Sequence, residues 1–461
     1  MNANVIIIGG GPAGIVAALT AKCVYPEKSV CIIKEIADGV IPCAIPYMMS
    51  TLRDPKQSAM DNMPLEKAGV KIIVGKVVSF NPAAHTVLLE SGQSLSYERL
   101  VLATGTEPIL PHIPGVEKEG VFAIHKSMSS MKALREKVQK AQSIAIIGGG
   151  FIGAEFADEL SRSSKAEIHI IEIMPKLLLT EFDDEFCDHI AKILFKTGVL
   201  VHLGTKVVAI NGERQVESAT LGNGAKIPAD LVLVSIGARP ATHIAAAAGL
   251  RIDDHGSIWV DEYMRTDVED VFAVGDCAVK RDFFTRKAAP ICLVSTATAE
   301  ARNAATNIYG IRVLHQIRGT IAAFSTNIAG VSFASAGMTC RACDKEGFRY
   351  TAATAAAPDR HPGTLAGASE LRVKLVFADR SGIILGGQIS GGASAGELIN
   401  MIVLAIQKKV TVRELEMMQI ATHPLLTSAP TVHPLINAAH EALAKLRAAV
   451  KEEKPVLKKV A

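Results

Sequence analysis

The chain has 461 residues, 49% apolar and 21% charged, the balance of an ordinary globular protein with room for about three domains of roughly 100–200 residues. One Trp and six Tyr offer no stacking platform for single-stranded nucleic acid, and a net charge of +3 spread along the chain marks no phosphate-backbone groove. The eight cysteines form no disulfide framework, no secretory pattern opens the chain, and no run approaches ~18 apolar residues, so neither nucleic acid nor membrane is an expected partner and a reducing cytoplasm is the expected location.

The first readable unit is a strand over Asn4–Ile8, the run Gly9-Gly10-Gly11-Pro12-Ala13-Gly14, and an alanine-rich helix from Ile15 to about Lys22. A second strand follows at Ser29–Ile33. Apolar β-branched runs alternating with helices indicate a parallel βαβ arrangement. In Gly9-x-Gly11-x-x-Gly14 the first glycine permits the tight turn, the second lets backbone approach a pyrophosphate, and the third lets the helix pack on the sheet. The phosphate then sits at the helix N-terminus. An acid for a ribose hydroxyl is expected about 20 residues on, at Glu35; Lys34 precedes it, so the contact could be shared or displaced.

Eight residues after Glu35 comes Cys43, in Val40-Ile41-Pro42-Cys43-Ala44-Ile45-Pro46-Tyr47. Leu100–Gly105 reads as a buried strand ending in the turn Ala103-Thr104-Gly105, suited to close over an adenine half. Pro108, Pro111 and Pro114 with Gly115 form a stiff connector. The opening pattern then restarts: strand Ser143–Ile147, turn Gly148-Gly149-Gly150-Phe151-Ile152-Gly153, helix Ala154–Ser161 and strand Glu167–Ile171. Glu172 ends that strand. A carboxylate there accepts from a ribose 2′-hydroxyl and repels a 2′-phosphate, so NADH is expected in preference to NADPH.

Leu231–Gly237 and Val271–Gly275 are further apolar strands closing in glycine, the second followed by Asp276, an acid placed to meet a ribityl hydroxyl or a flavin phosphate. From about Thr326 the runs Leu371–Phe377 and Ile383–Gly386 read as strands, and Ala395–Lys408 and Val412–Gln419 as helices, an order that suggests an α+β domain with an antiparallel sheet. The lysine-rich tail Lys451–Ala461 is expected to fray.

In combination, the two glycine fingerprints, Ala103-Thr104-Gly105 and Val274-Gly275-Asp276 make the chain resemble the flavoprotein disulfide reductases with two dinucleotide-binding domains, over essentially its whole length. The resemblance implies an α/β fold: two Rossmann-like dinucleotide-binding domains, for FAD and NAD, plus a C-terminal α+β dimerisation domain. The expected segments are 1–113 and 239–322 for FAD, 114–238 for NAD(H), and 323–461 for a homodimer contact. FAD would be held by Gly9, Gly11, Pro12, Ala13, Gly14, Glu35, Ala103, Thr104, Gly105, Gly275 and Asp276. NADH would be held by Gly148, Gly150, Phe151, Ile152, Gly153, Glu172 and Gly237.

No cysteine occurs between Cys43 and Cys187, so a local dithiol is absent and Cys43 with Pro46-Tyr47 is similar to the single-cysteine branch of these enzymes. That branch holds coenzyme A disulfide reductase, NADH oxidase, NADH peroxidase and the persulfide or polysulfide reductases. It implies a redox-active Cys43 acting on a small-molecule disulfide, persulfide or peroxide, with a positive neighbour or helix N-terminus expected to lower its pKa. Pro42 and Ala44 depart from the Asn-Cys-Gly pattern of the oxidases, which leaves the acceptor open, and a reductase of a small electron-transfer protein is a further alternative. The segment Thr422-His423-Pro424 resembles the His-Pro element that reaches a partner subunit's active site in the dithiol branch. His423 is the expected proton donor, with His433 a second candidate. Cys340-x-x-Cys343 lacks the further ligands of a zinc site, so no metal is expected, and Cys23 and Cys31 read as core residues. Glu155 could point toward the flavin–nicotinamide contact, and Tyr47 toward the sulfur pocket.

Overall fold

The computed structural model describes residues 2–289 and 291–452. The tail expected to fray lies almost wholly outside them. By packing, the described chain divides into two units: 2–171 with 205–320, and 172–204 with 321–452.

In the first unit a parallel sheet is built around strand Asn2–Ile8, flanked by Val30–Lys34 on one side and Ser94–Leu102 on the other. Lys71–Val74 extends it beyond Val30–Lys34, and Val271–Ala273 pairs in parallel with Leu100–Leu102. A strand more than 160 residues away in sequence thus closes the sheet that the first strand opens. Val5, Ile6, Ile7, Ile32, Leu100, Val101 and Leu102 are all buried, as a parallel sheet covered on both faces requires. Each such Ile or Leu contributes about 1.5–3 kcal/mol by leaving water.

The helix begins earlier than the periodicity suggested, at Pro12, and runs to Val24. Proline suits the first turn, because its missing N–H would have no intrahelical partner there. Ala13, Ala17 and Ala21 form one buried stripe at i, i+4 spacing. It packs on helix Val294–Thr306, whose stripe is Ala297, Ala301 and Ala305. Small side chains on both faces let the helix axes approach closely.

The second fingerprint lies in another parallel sheet, with Glu167–Ile171 beside Ser143–Ile147, then Leu231–Val234 and Val121–Ala123. Both expected strands keep their sequence boundaries, and the helix runs Phe151–Ser163. Ala238–Pro240 pairs with Thr106–Pro108 in a short antiparallel ribbon, which places the proline connector beside Gly237.

The second unit is α+β as expected. Its antiparallel sheet runs Ala323–Ile328, Val331–Gly337, Ile384–Gly391, Glu370–Ala378, Tyr350–Pro358. Helices Ala395–Gln407 and Pro434–Glu452 pack on it. Segment 172–204 belongs to this unit, although it follows the second fingerprint in sequence. A buried node joins it to the sheet. The Asp183 carboxylate accepts from the Cys340 N–H at 3.0 Å, Gln388 Nε2 at 2.7 Å and Lys374 Nζ at 2.7 Å. Phe182 packs edge-on against Phe333 beside it. Among the described residues no helix is long and apolar enough to cross a membrane, and no group of His, Cys, Asp and Glu could hold a metal ion.

Candidate functional site

The two glycine runs fold into the same device. Gly9 takes φ +119°, and a Cβ there would collide with the Ala103 carbonyl; a Cβ on Gly14 would collide with the carbonyl of Gly9. Gly148 and Gly153 repeat this against Ser235 and Gly148. The middle glycines, Gly11 and Gly150, differ: a Cβ on either meets nothing within 4 Å. Each is the N-cap of its helix, and a glycine there brings no side chain of its own to cap the first turn. The result at each site is a concave backbone face at a helix N-terminus, the geometry and polarity a pyrophosphate requires. A dinucleotide therefore fits both copies.

The turn at Ala103 is held by its N–H, which donates to the Ile8 carbonyl at 2.8 Å, and by the Thr104 hydroxyl, which donates to the Ala241 carbonyl at 2.6 Å. Gly105 (φ +69°) and Gly237 (φ +110°) take left-handed conformations on either side of the ribbon. Asp276 lies in the turn Gly275–Cys277. Beneath that turn is a pair invisible to motif reading. The Gly275 N–H donates to Glu300 at 2.9 Å, and Lys280 Nζ donates to the Gly275 carbonyl at 2.6 Å while pairing with Glu300 at 3.0 Å. Both side chains are buried, and burial pushes the Glu300 carboxyl above its ordinary value, with Lys280 opposing.

The ribose positions differ between the copies. The Gly148 N–H donates to the Ile171 carbonyl, and the next residue is Glu172, whose carboxylate accepts from the Met174 N–H at 2.7 Å. In the first copy the Gly9 N–H donates to the Ile33 carbonyl, and the next residue is Lys34. Glu35 stands one residue further on, exposed, 4.0 Å from Lys76.

Cys43 sits in the short turn Pro42–Ala44, with Ile45, Met48 and Met49 buried behind it. Four of the eight cysteines, Cys31, Cys187, Cys277 and Cys343, are buried; Cys43, Cys23 and Cys292 are exposed. Cys31 is a core residue as expected, but Cys23 faces outward, off the alanine stripe of its helix. Two elements fix the Cys43 segment. The Val40 N–H donates to the Lys126 carbonyl at 3.3 Å, and the Thr51 N–H and hydroxyl both donate to the buried Glu159 carboxylate at 2.7 Å. Glu159 and Glu155 lie one turn apart on the helix of the second fingerprint. The sulfur thus has Glu155, Asp276 and Lys126 as charged neighbours, one from each of three elements. Partial desolvation of the sulfur and the two carboxylates raise the thiol above its ordinary value, and the single cation does not reverse them. The expectation of a lowered pKa fails for the polypeptide alone. Lys126, which also bonds Thr106 Oγ1 at 3.0 Å, was not legible in the sequence, because it belongs to no motif.

In the second unit His423 is exposed, with Nδ1 accepting from the Leu425 N–H at 3.2 Å. His433 is buried, its Nδ1 has no hydrogen-bond partner among the described residues, and burial lowers its pKa. Cys340 and Cys343 fall on the short helix Cys340–Glu346, both with thiols raised by burial.

Residues 3–305 match the pyridine nucleotide-disulphide oxidoreductase family model, and 323–433 match that family's dimerisation domain. A Pyrococcus horikoshii protein named NAD(P)H coenzyme A polysulfide/persulfide reductase is 31% identical over 85% of this chain and 88% of its own. A Methanocaldococcus jannaschii protein named NADH oxidase is 28% identical over 96% and 99%. The solved structure of an NAD-dependent persulfide reductase from A. fulgidus superposes with a TM-score of 0.89 at 28% identity, covering 97% of this chain and 84% of that one. The chain belongs to the pyridine nucleotide-disulphide oxidoreductases: it is an oxidoreductase working with FAD and a pyridine nucleotide, and it carries a C-terminal dimerisation domain.

Proposed function

We propose that the protein takes two electrons from NADH through FAD and delivers them to a disulfide, persulfide or polysulfide sulfur at Cys43. One observation carries this reading: the exposed Cys43 lies in a segment whose Val40 N–H bonds the Lys126 carbonyl and whose Thr51 bonds Glu159 on the helix of the second fingerprint, so the chain that leaves the first glycine fold is fastened to the second beside this sulfur. FAD would be held by Gly9, Gly11, Pro12, Ala13, Gly14, Ala103, Thr104, Gly105, Gly275 and Asp276, and NADH by Gly148, Gly150, Phe151, Ile152, Gly153, Glu172 and Gly237. Residues 1–113 with 239–322, 114–238 and 323–461 would then be the FAD, NAD and dimer segments. The bound pair supplies two electrons in one step. Glu172 favours NADH, since its carboxylate accepts from a 2′-hydroxyl and repels a 2′-phosphate.

The protein's own part is sulfur chemistry. The Cys43 thiolate attacks one sulfur of RS–SR′, forming Cys43–S–SR and releasing R′S⁻. Two electrons and a proton then return Cys43 to the thiolate and release RSH. Lys126 offsets charge at the sulfur, and His423 is the proposed proton donor, with His433 the alternative. The eight free cysteines suit a reducing cytoplasm, and the dimerisation domain suits a homodimer. Names among the relatives support a sulfane-sulfur acceptor; a second reading, an NADH oxidase in which Cys43 cycles through sulfenic acid, has the Methanocaldococcus relative's name in its favour.

The test is an anaerobic NADH titration of FAD-replete protein, wild type and Cys43→Ser, followed by turnover with coenzyme A disulfide, polysulfide, oxygen and peroxide. Two hydride equivalents per FAD in the wild type, one in the variant, and loss of sulfur reduction in the variant are expected. Full sulfur reduction by Cys43→Ser would sink the proposal. Turnover confined to oxygen or peroxide would favour the second reading.

A further inference from the structure

The structural equivalence of the two glycine folds reaches the strand residue that faces the turn and breaks at the next residue. Gly9 and Gly148 each donate to the carbonyl of the strand residue facing the turn, Ile33 and Ile171, both at 2.9 Å. The following side chain is the one a nucleotide's ribose meets. In the second copy it is an acceptor, Glu172. In the first it is an ammonium, Lys34.

Lys34 is 2% exposed. Its stem crosses the fingerprint loop: a Cβ on Gly10 would stand 2.5 Å from Lys34 Cγ and 2.7 Å from Cε. Its Nζ donates to Asn62 Oδ1 at 2.7 Å, a neutral partner ahead of helix Met63–Lys67. No carboxylate among the described residues pairs with it, and burial alone accounts for the lowering of its pKa. Glu35, the nearest acid in sequence, faces Lys76 instead. A buried cation without a counter-charge is costly to the polypeptide alone. An ammonium has three donors, and Asn62 Oδ1 takes one. The donors left over match a group that presents several oxygens and negative charge beside Gly10. A ribose with its pyrophosphate does so.

We propose that Lys34 is a specificity residue of the first dinucleotide site, donating to the adenosine-ribose oxygens of FAD where an acidic acceptor would otherwise stand, and that the pyrophosphate adjoining that ribose supplies the counter-charge missing from the polypeptide alone. The inference rests on FAD occupying the first fingerprint.

The test uses full-length apoprotein freed of flavin: wild type, Lys34→Met, Lys34→Arg and, as a control on the site itself, Gly11→Trp. FAD affinity is read from quenching of flavin fluorescence, and thermal stability is read with and without FAD. For Lys34→Met the FAD Kd is expected to rise about tenfold or more, while the flavin-free protein melts higher than wild type. Lys34→Arg is expected to recover part of the affinity. A residue that merely packs would lower the melting temperature of the flavin-free protein, so the two signs separate the roles. A Kd within about twofold of wild type, or a flavin-free Lys34→Met that melts lower, overturns the inference. If Gly11→Trp leaves the Kd unchanged, FAD does not occupy the first fingerprint, and it is the underlying reading that has failed.

Discussion

A methyl group on Gly9 would collide with the carbonyl oxygen of Ala103, so the first residue of one cofactor motif is fitted against the first residue of another. The two motifs lie 94 positions apart and are joined by strand pairing between Ile8 and Leu102. Gly9→Ala should therefore damage the fold. Its φ of +119° costs an alanine about 1–3 kcal/mol before the collision is counted. Gly11→Ala faces open space and should leave the melting temperature of the flavin-free protein nearly unchanged while reducing bound flavin sharply. Thermal melts and flavin content of the two purified variants check the contrast.

Cys43 alkylation should report its charged neighbours. The thiol lies above its ordinary value because of partial desolvation and the carboxylates of Glu155 and Asp276. In flavin-free protein, Glu155→Gln should shift the alkylation–pH curve to lower pH, and Lys126→Met should shift it to higher pH. Rates of iodoacetamide labelling, read on the Cys43 peptide by mass spectrometry, separate it from the exposed Cys23 and Cys292.

The Lys280–Glu300 pair beneath the Asp276 turn is buried on both sides. Breaking it by Lys280→Met leaves an uncompensated buried acid and should cost about 3–5 kcal/mol. The double change Lys280→Met with Glu300→Gln should recover much of that loss, since no charge is then stranded. Denaturant unfolding of the single and double variants measures the difference.

Glu98 gives an acid-sensitive contribution. Its carboxylate accepts from Lys28, Tyr309 and Asn4, which hold it down at about 2. A folded pKa below the unfolded one means the stabilisation is present above the ordinary glutamate range near ~4.3 and is lost as pH falls toward the folded value. Half-exposure and screening keep it to about 1 kcal/mol or less. The melting temperatures of wild type and Glu98→Gln should differ at neutral pH and converge at about pH 2.

The βαβ frames were legible because each glycine has a separate steric duty, and strands Ser143–Ile147 and Glu167–Ile171 keep the boundaries the pattern gave. Tyr350–Pro358 was not legible: five of its nine residues are alanine, which favours helix over strand, and Thr351 and Thr354 set no alternation, so pairing with Glu370–Ala378 is what makes it a strand. The sequence left the first ribose contact open between Glu35 and Lys34 because spacing from a glycine run is approximate, whereas the bond from Gly9 to Ile33 fixes which residue follows the turn. Lys126, Glu159 and Lys280 act through long-range contacts, which no local motif records.

The Asp183 node has a consequence for anyone cutting this protein into parts. A fragment ending at residue 320 would keep segment 172–204 but discard Lys374, Gln388 and Phe333, leaving an acid and two phenylalanines, Phe182 and Phe186, without the sheet that shelters them. Such a fragment should be sticky and prone to proteolysis within that segment. Trimming the C-terminus alone therefore does not yield a clean nucleotide-binding half, and excising 172–204 as well would remove Glu172.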